Sequence, residues 1–252
     1  MSQKVKFAYG DCTFEVIPTI EHSTYSNYPG FIQYEMNCDL GWIEHNITLE
    51  LAWSALSKLV PNLSLAEVKR LGYLVKEEAE PKIIVAEILV KEYPVRWRQQ
   101  LGLSWSSWLA RFDEDSAAVG IRADEIVNDP RNLHALTSGS LYLLDRLDVH
   151  PLFRGQHIGL HLCRFTLKIL AKNLGDMVFL LADPIDSKYP NGNYNTITDI
   201  NRLAEYYITA GFRFVRVQPD EQILLEADIG SEFYNVPYFV SDAQHLSIAS
   251  GI

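Results

Sequence analysis

The chain has 252 residues, 48% apolar and 21% charged, and its 22 Lys and Arg against 32 Asp and Glu leave a formal net charge of −10. This profile excludes a largely disordered chain, a collagen-like repeat and a disulfide-stapled miniprotein, and the length suits one large domain or two small ones with ample core. The acidic balance argues against a general nucleic-acid binder, which needs a lysine- and arginine-rich face to release phosphate counterions. It is compatible with a cationic small substrate or a basic protein.

Cys12, Cys38 and Cys163 stand far apart with no CxxC pair, the pattern of reduced thiols in a cytoplasmic protein. Lys4 and Lys6 lead into Phe7-Ala8-Tyr9-Gly10-Asp11 without the apolar segment of a secretory signal, and no apolar run has the length of a membrane span. There is no internal repeat and no low-complexity tract.

In chain order, the first 48 residues are rich in Tyr, Thr, Ile and Val and broken by Gly10, Pro18, Pro29, Gly30 and Gly41, which predicts short strands and turns. Residues 49–60 read as a helix stopped by Pro61. Asn62 or Ser64 caps a second helix reaching about Glu80, ahead of Pro81. KIIVAEILV, 82–90, reads as a strand. Residues 95–112 read as helical, with Trp97, Trp105 and Trp108 expected in the core. Residues 120–127 read as another strand and 128–132 as a turn. SLYLLDRLDV, 140–149, reads as a strand ended by Pro151. Residues 160–174 carry Leu162, Cys163, Phe165, Leu167, Ile169, Leu170 and Leu174 at helical spacing, with Gly175 as terminator. MVFLLA, 177–182, is the continuous apolar run of a strand buried on both faces. Strand, helix and strand in this order form a βαβ unit, so the two strands are expected to be parallel. Thr198 or Asp199 caps a further helix with Ile200, Leu203, Ala204, Tyr207 and Ile208 on one face. Gly211 lies at its C-cap, and FRFVRV, 212–217, alternates as a strand.

The segment most suggestive of chemistry is the loop Arg154-Gly155-Gln156-His157-Ile158-Gly159-Leu160, between the strand at 140–149 and the helix that follows. A loop entering a helix at the carboxyl end of a strand presents unpaired N–H groups and the positive end of the helix dipole, which favours a phosphate or pyrophosphate. Arg154 adds a fixed charge. The loop lacks the Lys-Ser/Thr of a P-loop and the third glycine of a dinucleotide fingerprint, so by itself it also fits a plain β–α turn.

Taken together, LDVHPLFRGQHIGLHL, the apolar strand at 177–182 and YYITAGFRFV resemble the GNAT superfamily of N-acetyltransferases, over residues 141–215. In that family an Arg/Gln-x-x-Gly-x-Gly/Ala loop holds the pyrophosphate of acetyl-CoA and a later helix ends in Tyr-x-x-x-Gly-Phe. The first pattern falls on Arg154, His157 and Gly159, the second on Tyr207, Gly211 and Phe212. Two departures stand out: His157 occupies a position usually held by glycine, and Ile200 one often held by asparagine, with Asn201 one residue out of register.

The resemblance implies an α/β fold: a mixed, twisted sheet with splayed central parallel strands and helices on both faces. Residues 1–80 form an N-terminal extension of the sheet or a cap, and 81–252 the acetyltransferase domain. It implies acetyl-CoA as co-substrate and an amine acceptor, small molecule or protein. No metal, nucleic acid or membrane partner is expected, and a homodimer is left open. The backbone of Leu147 and Val149 pairs with the pantetheine arm, one N–H polarising the thioester carbonyl, and residues 154–160 hold the pyrophosphate. Tyr207 protonates the leaving thiolate, with Tyr206 about 100° round the helix the weaker choice. Asp145, two residues before Leu147, is read as sharing its face of the strand, with Asp148 on the opposite face. Asp145 then takes the ammonium proton directly or through water, or is a structural or solvated aspartate. His150 reads as a loop residue near the cofactor, Asp183 and Asp186 as loop carboxylates able to attract a cation, and Cys163 as core. His157 and His161 share helical spacing but no HExxH pattern. The alternative function is a CoA-binding or sensory module that keeps the fold and has lost transfer.

Overall fold

The computed structural model describes residues 5–9, 12–24, 41–59, 64–70, 75–76, 81–150, 153–154, 158–182, 197–219 and 222–228. Its strands are β1 (Val5–Tyr9), β2 (Cys12–Thr24), β3 (Ile43–Ala52), β4 (Val75–Lys76), β5 (Lys82–Pro94), β6 (Ser140–Val149), β7 (Met177–Ala182), β8 (Arg213–Val217) and β9 (Ile223–Asp228). The helices are α1 (Trp53–Leu59), α2 (Leu65–Arg70), α3 (Val95–Leu101), α4 (Trp105–Leu109), α5 (Glu114–Asn128), α6 (Ile158–Leu170) and α7 (Ile197–Thr209).

The strands form one mixed sheet in the order β1-β2-β3-β5-β6-β7-β9-β8, with β4 pairing on β5 off that path. Among the described residues β6 and β7 are the one parallel pair, running from Leu141↔Met177 to Leu144↔Leu180. The βαβ reading of 140–182 therefore holds. The antiparallel meander β1-β2-β3 joins the sheet through β5, with Ile43↔Glu92 and Ala52↔Lys82 near the two ends of that ladder.

Helices cover both faces. On one face α1, α6 and α7 bury Leu56, Leu162, Cys163, Leu167, Ala204 and Tyr207 against Tyr142, Leu144, Val178, Leu180 and Leu225. On the other, α3, α4 and α5 bury Val95, Trp105, Trp108, Val119, Ala123 and Ile126 against Leu141, Leu143, Met177, Phe179 and Leu224. The alternation of β6 and β7 between these two cores is the two-residue period of a strand. It explains why MVFLLA is apolar throughout: each face meets a helical layer.

Five elements differ from the sequence reading. Residues 49–52 complete β3, because Leu49 and Leu51 both enter the core from an extended chain, and the helix starts only at Trp53. Residues 120–127 belong to α5: Val119, Ala123 and Ile126 share one buried helical face, and Asp113 caps the start by accepting from Ser116 N. The helical stretch 95–112 is two helices, parted where Gly102 takes φ 63° as a left-handed cap. β9, which inserts between β7 and β8, had no counterpart in the reading. Ser64 does cap α2, in a reciprocal capping box with Glu67, but α2 ends at Arg70.

No helix among the described residues is long and apolar enough to cross a membrane.

Candidate active site

The parallel ladder stops at Leu144↔Leu180, whereas β6 runs on to Val149 paired with β5, and β7 runs on through Leu181 and Ala182 paired with β9. The last stretch of β6 thus lies beyond its ladder with β7. Leu147 and Val149 there are part-buried and pack on the α6–α7 side.

Within β6 the pairing with β5 shifts: Leu89 faces Arg146 and Val90 faces Leu144, leaving Asp145 as the extra residue of a β-bulge. Before the bulge Tyr142 and Leu144 point to the α6–α7 core; after it Leu147 and Val149 do. Asp145 and Leu147 therefore do not share a face, which corrects the strand-period reading. Asp145 lies on the α3–α5 side, where its Oδ1 meets Lys91 Nζ at 2.6 Å. Lys91 also pairs with Asp113 at 3.2 Å and lies over the Trp42 ring at 5.4 Å from its centroid. Burial works to lower the Lys91 pKa, but the hydrogen bonds and charges of Asp145 and Asp113 outweigh it and hold the ammonium above its ordinary range.

The start of α6 abuts this strand end. A Cβ on Gly159 would fall 2.8 Å from Tyr206 Oη, 3.1 Å from Val149 Cγ2 and 3.3 Å from Leu147 Cδ2, so a side chain there would have to displace the Tyr206 hydroxyl and press on both β6 side chains. Leu160 N–H donates to Tyr206 Oη at 3.0 Å, so one amide of the first turn already has a phenol oxygen as partner. Gly159→Ala is expected to push Tyr206 away from that amide and destabilise the fold by about 1–3 kcal/mol. A thermal-denaturation midpoint equal to that of the parent would contradict it.

Arg154 is tied to the strand it follows: Nε donates to Val149 O at 2.9 Å, and Nη2 lies 3.8 Å from Asp148 Oδ1, with the side chain about half exposed. Gly155, Gln156 and His157 lie outside the described residues, as do Asp183 and Asp186. His150 is buried at the end of β6, its N–H bonded to Val85 O and its ring edge-on to Phe153.

α7 supplies both tyrosines. Arg164 of α6 donates to Thr209 O at 2.9 Å, holding the C-terminus of α7 against α6. Gly211, at φ 109°, then turns the chain into β8. Tyr207 is 6% exposed and sits edge-on to Phe212 and Tyr206 in the core. Tyr206 is half-buried and carries the hydroxyl that reaches α6. Sequence periodicity ranked Tyr207 first because it falls on the inward face. Tyr206 reaches α6 from the edge of that face, a placement that helical spacing alone does not reveal.

Burial pushes the Tyr206 phenol up to about 12, the Tyr207 phenol further, and the Cys163 thiol up to about 12. All three are neutral at physiological pH. Because their folded pKa values lie above the ordinary 10.0 and 9.0, the unfolded chain loses these protons first as pH rises. Their contribution to stability is full below about pH 9 and drains away towards about pH 12. Denaturant midpoints that stay level from about pH 7 to pH 11 would refute this.

Among the described residues no group of three or more His, Cys, Asp or Glu is arranged to hold a metal ion. No protein-family model matches the chain. No curated protein matches it. Solved structures similar to it include the two that follow. One is the crystal structure of a KacTA–DNA complex, at 12% identity over 83% of this chain and 92% of that chain, with a TM-score of 0.33. The other is a mutant of agmatine N-acetyltransferase in its apo form, at 11% identity over 57% of this chain and 70% of that chain, with a TM-score of 0.34. Likenesses at this level decide neither activity nor partner.

Proposed function

We propose that this chain is an acetyl-CoA-dependent N-acetyltransferase of the GNAT type, acting on a primary amine of a small molecule or a protein. The observation that carries the reading is the end of the β6–β7 ladder at Leu144↔Leu180, beside a helix whose first turn approaches Leu147 and Val149 through Gly159. A splay of β6 from β7 beyond that point would free backbone groups of β6 for an extended, amide-bearing ligand such as the pantetheine arm. The start of α6 offers the positive end of a helix dipole to the pyrophosphate.

In this reading the main chain of Leu147 and Val149 receives the pantetheine arm, and one of their N–H groups polarises the thioester carbonyl. Residues 154–160 hold the diphosphate, with Arg154 contributing charge. The acceptor gives up its ammonium proton to solvent, the neutral amine nitrogen attacks the carbonyl carbon and the C–S bond breaks. The leaving sulfur takes a proton from the Tyr207 hydroxyl, and the proton shed by the acylated nitrogen returns through water to the Tyr207 oxygen. Burial keeps the Tyr207 phenol protonated at neutral pH and at the same time makes it a weaker acid towards the thiolate.

A second reading, a CoA-binding module without transfer, draws support from the depth of Tyr207, at 6% exposure. Titration calorimetry with acetyl-CoA, followed by thiol-release assays across mono-, di- and polyamines and lysine peptides, separates the two. Binding with turnover is the expected result. Binding without turnover on any amine selects the second reading, and absence of binding overturns both.

A further inference from the structure

We propose that the Lys91–Asp145 ion pair is the positioning device of the acyl-transfer site: it anchors the β6 bulge on the α3–α5 side, so that Leu147 and Val149 are presented to α6. The inference rests on the proposed function for what the site does, but the pin itself rests on geometry alone.

A bulge inserts one residue and reverses which face every later residue occupies. Threaded in regular register with no bulge, the same residues would turn Arg146 and Asp148 towards α6 in place of Leu147 and Val149. The inserted residue is Asp145, and its carboxylate is held at 2.6 Å by an ammonium on the neighbouring strand. Lys91 is itself fixed from three sides. Asp113 pairs with it while capping α5, the Trp42 ring lies against it, and its own strand is paired to β6 at Leu143. Charged partners on a mostly covered lysine hold one geometry better than an exposed pair does. Asp145 thus acts through the backbone it anchors. Engagement with Lys91 on the far side of the sheet from Leu147 also makes it a poor candidate for taking the acceptor's proton.

The test uses the full chain with Lys91→Met, Asp145→Ala, Asp145→Asn and the Lys91→Met/Asp145→Ala double variant, each checked for folding by circular dichroism. Hydrogen exchange reads the pin directly. Exchange should quicken in 144–149 in Lys91→Met and Asp145→Ala and stay unchanged at 223–228. Acetyl transfer should fall about 10- to 100-fold in either single variant, the scale of a small misplacement of reacting groups. The double variant should fall no further than the singles. Asp145→Asn, which keeps an oxygen for Lys91 to donate to, should recover most of the rate with the acidic limb of the pH profile unmoved. Should Asp145→Ala fail to fold, Asp145→Asn and Lys91→Met carry the same comparison. The proposal is overturned by unchanged exchange in 144–149, or by loss of the acidic limb in both Asp145 variants with Lys91→Met near the parent. A parent chain that transfers no acetyl group sinks the acyl-transfer reading, and the exchange experiment then still decides the pin.

Discussion

Tyr207→Phe is expected to lower kcat for acetyl transfer by about 10²- to 10⁴-fold, the range for losing a positioned proton donor. The substitution removes one oxygen from a side chain that is 6% exposed and packed against Phe212 and Tyr206, so the fold should tolerate it. Its partner experiment is Tyr206→Phe, and the two should diverge. The Tyr206 oxygen accepts from Leu160 N–H, so its removal strands an amide in the first turn of α6, at a cost of about 1–3 kcal/mol if no water replaces it. Tyr206→Phe should therefore change acetyl-CoA affinity and stability more than kcat. Because both phenols keep their protons up to about pH 12 or beyond, neither produces a rate limb between about pH 6 and pH 9. Steady-state kinetics and calorimetry on the two variants check the assignment. A Tyr207→Phe enzyme with parental kcat across that range removes Tyr207 from the mechanism.

Trp108→Ala should destabilise the protein by about 3–5 kcal/mol, the scale for truncating a large buried aromatic. Trp108 is fully buried, stacked on Trp105 with ring centroids 5.7 Å apart and edge-on to Tyr93 at 5.7 Å. Tyr93 lies on β5, two residues from Lys91, so the cavity would open beneath the strand that supports the bulge. For a chain of this size each kcal/mol moves the midpoint by about 2–4 °C, so the thermal midpoint should fall by roughly 6–20 °C. A drop under about 2 °C would mean that α4 and the sheet collapse to refill the space.

The βαβ core was legible because its signals agree with one another. SLYLLDRLDV and MVFLLA are short, largely apolar runs bounded by glycine and proline, and the stretch between them has one broad helical stripe. Where two signals competed, the stronger local one misled. Val127 and Ile126 are β-branched and suggest a strand, yet Val119, Ala123 and Ile126 share a helical face and Asp113 supplies the cap. The bulge at Asp145 was illegible for a different reason. It exists only relative to the register of β5, and strand periodicity read from one segment assumes that no residue is inserted. The preference for Tyr207 over Tyr206 had a similar limit: helical spacing shows which side of α7 turns inward, and only the placement of α6 shows which hydroxyl it meets.

One carboxylate ties down the other end of the parallel pair. Asp176, buried just ahead of β7, accepts from Ser140 N at the start of β6 and from Lys172 N and Asn173 N in the turn after α6. Both strands are thus tethered where they begin, on the side away from Val149 and the start of α6. If the proposed cofactor enters between their far ends, part of the strain it imposes falls on this clamp at the opposite end of the two strands.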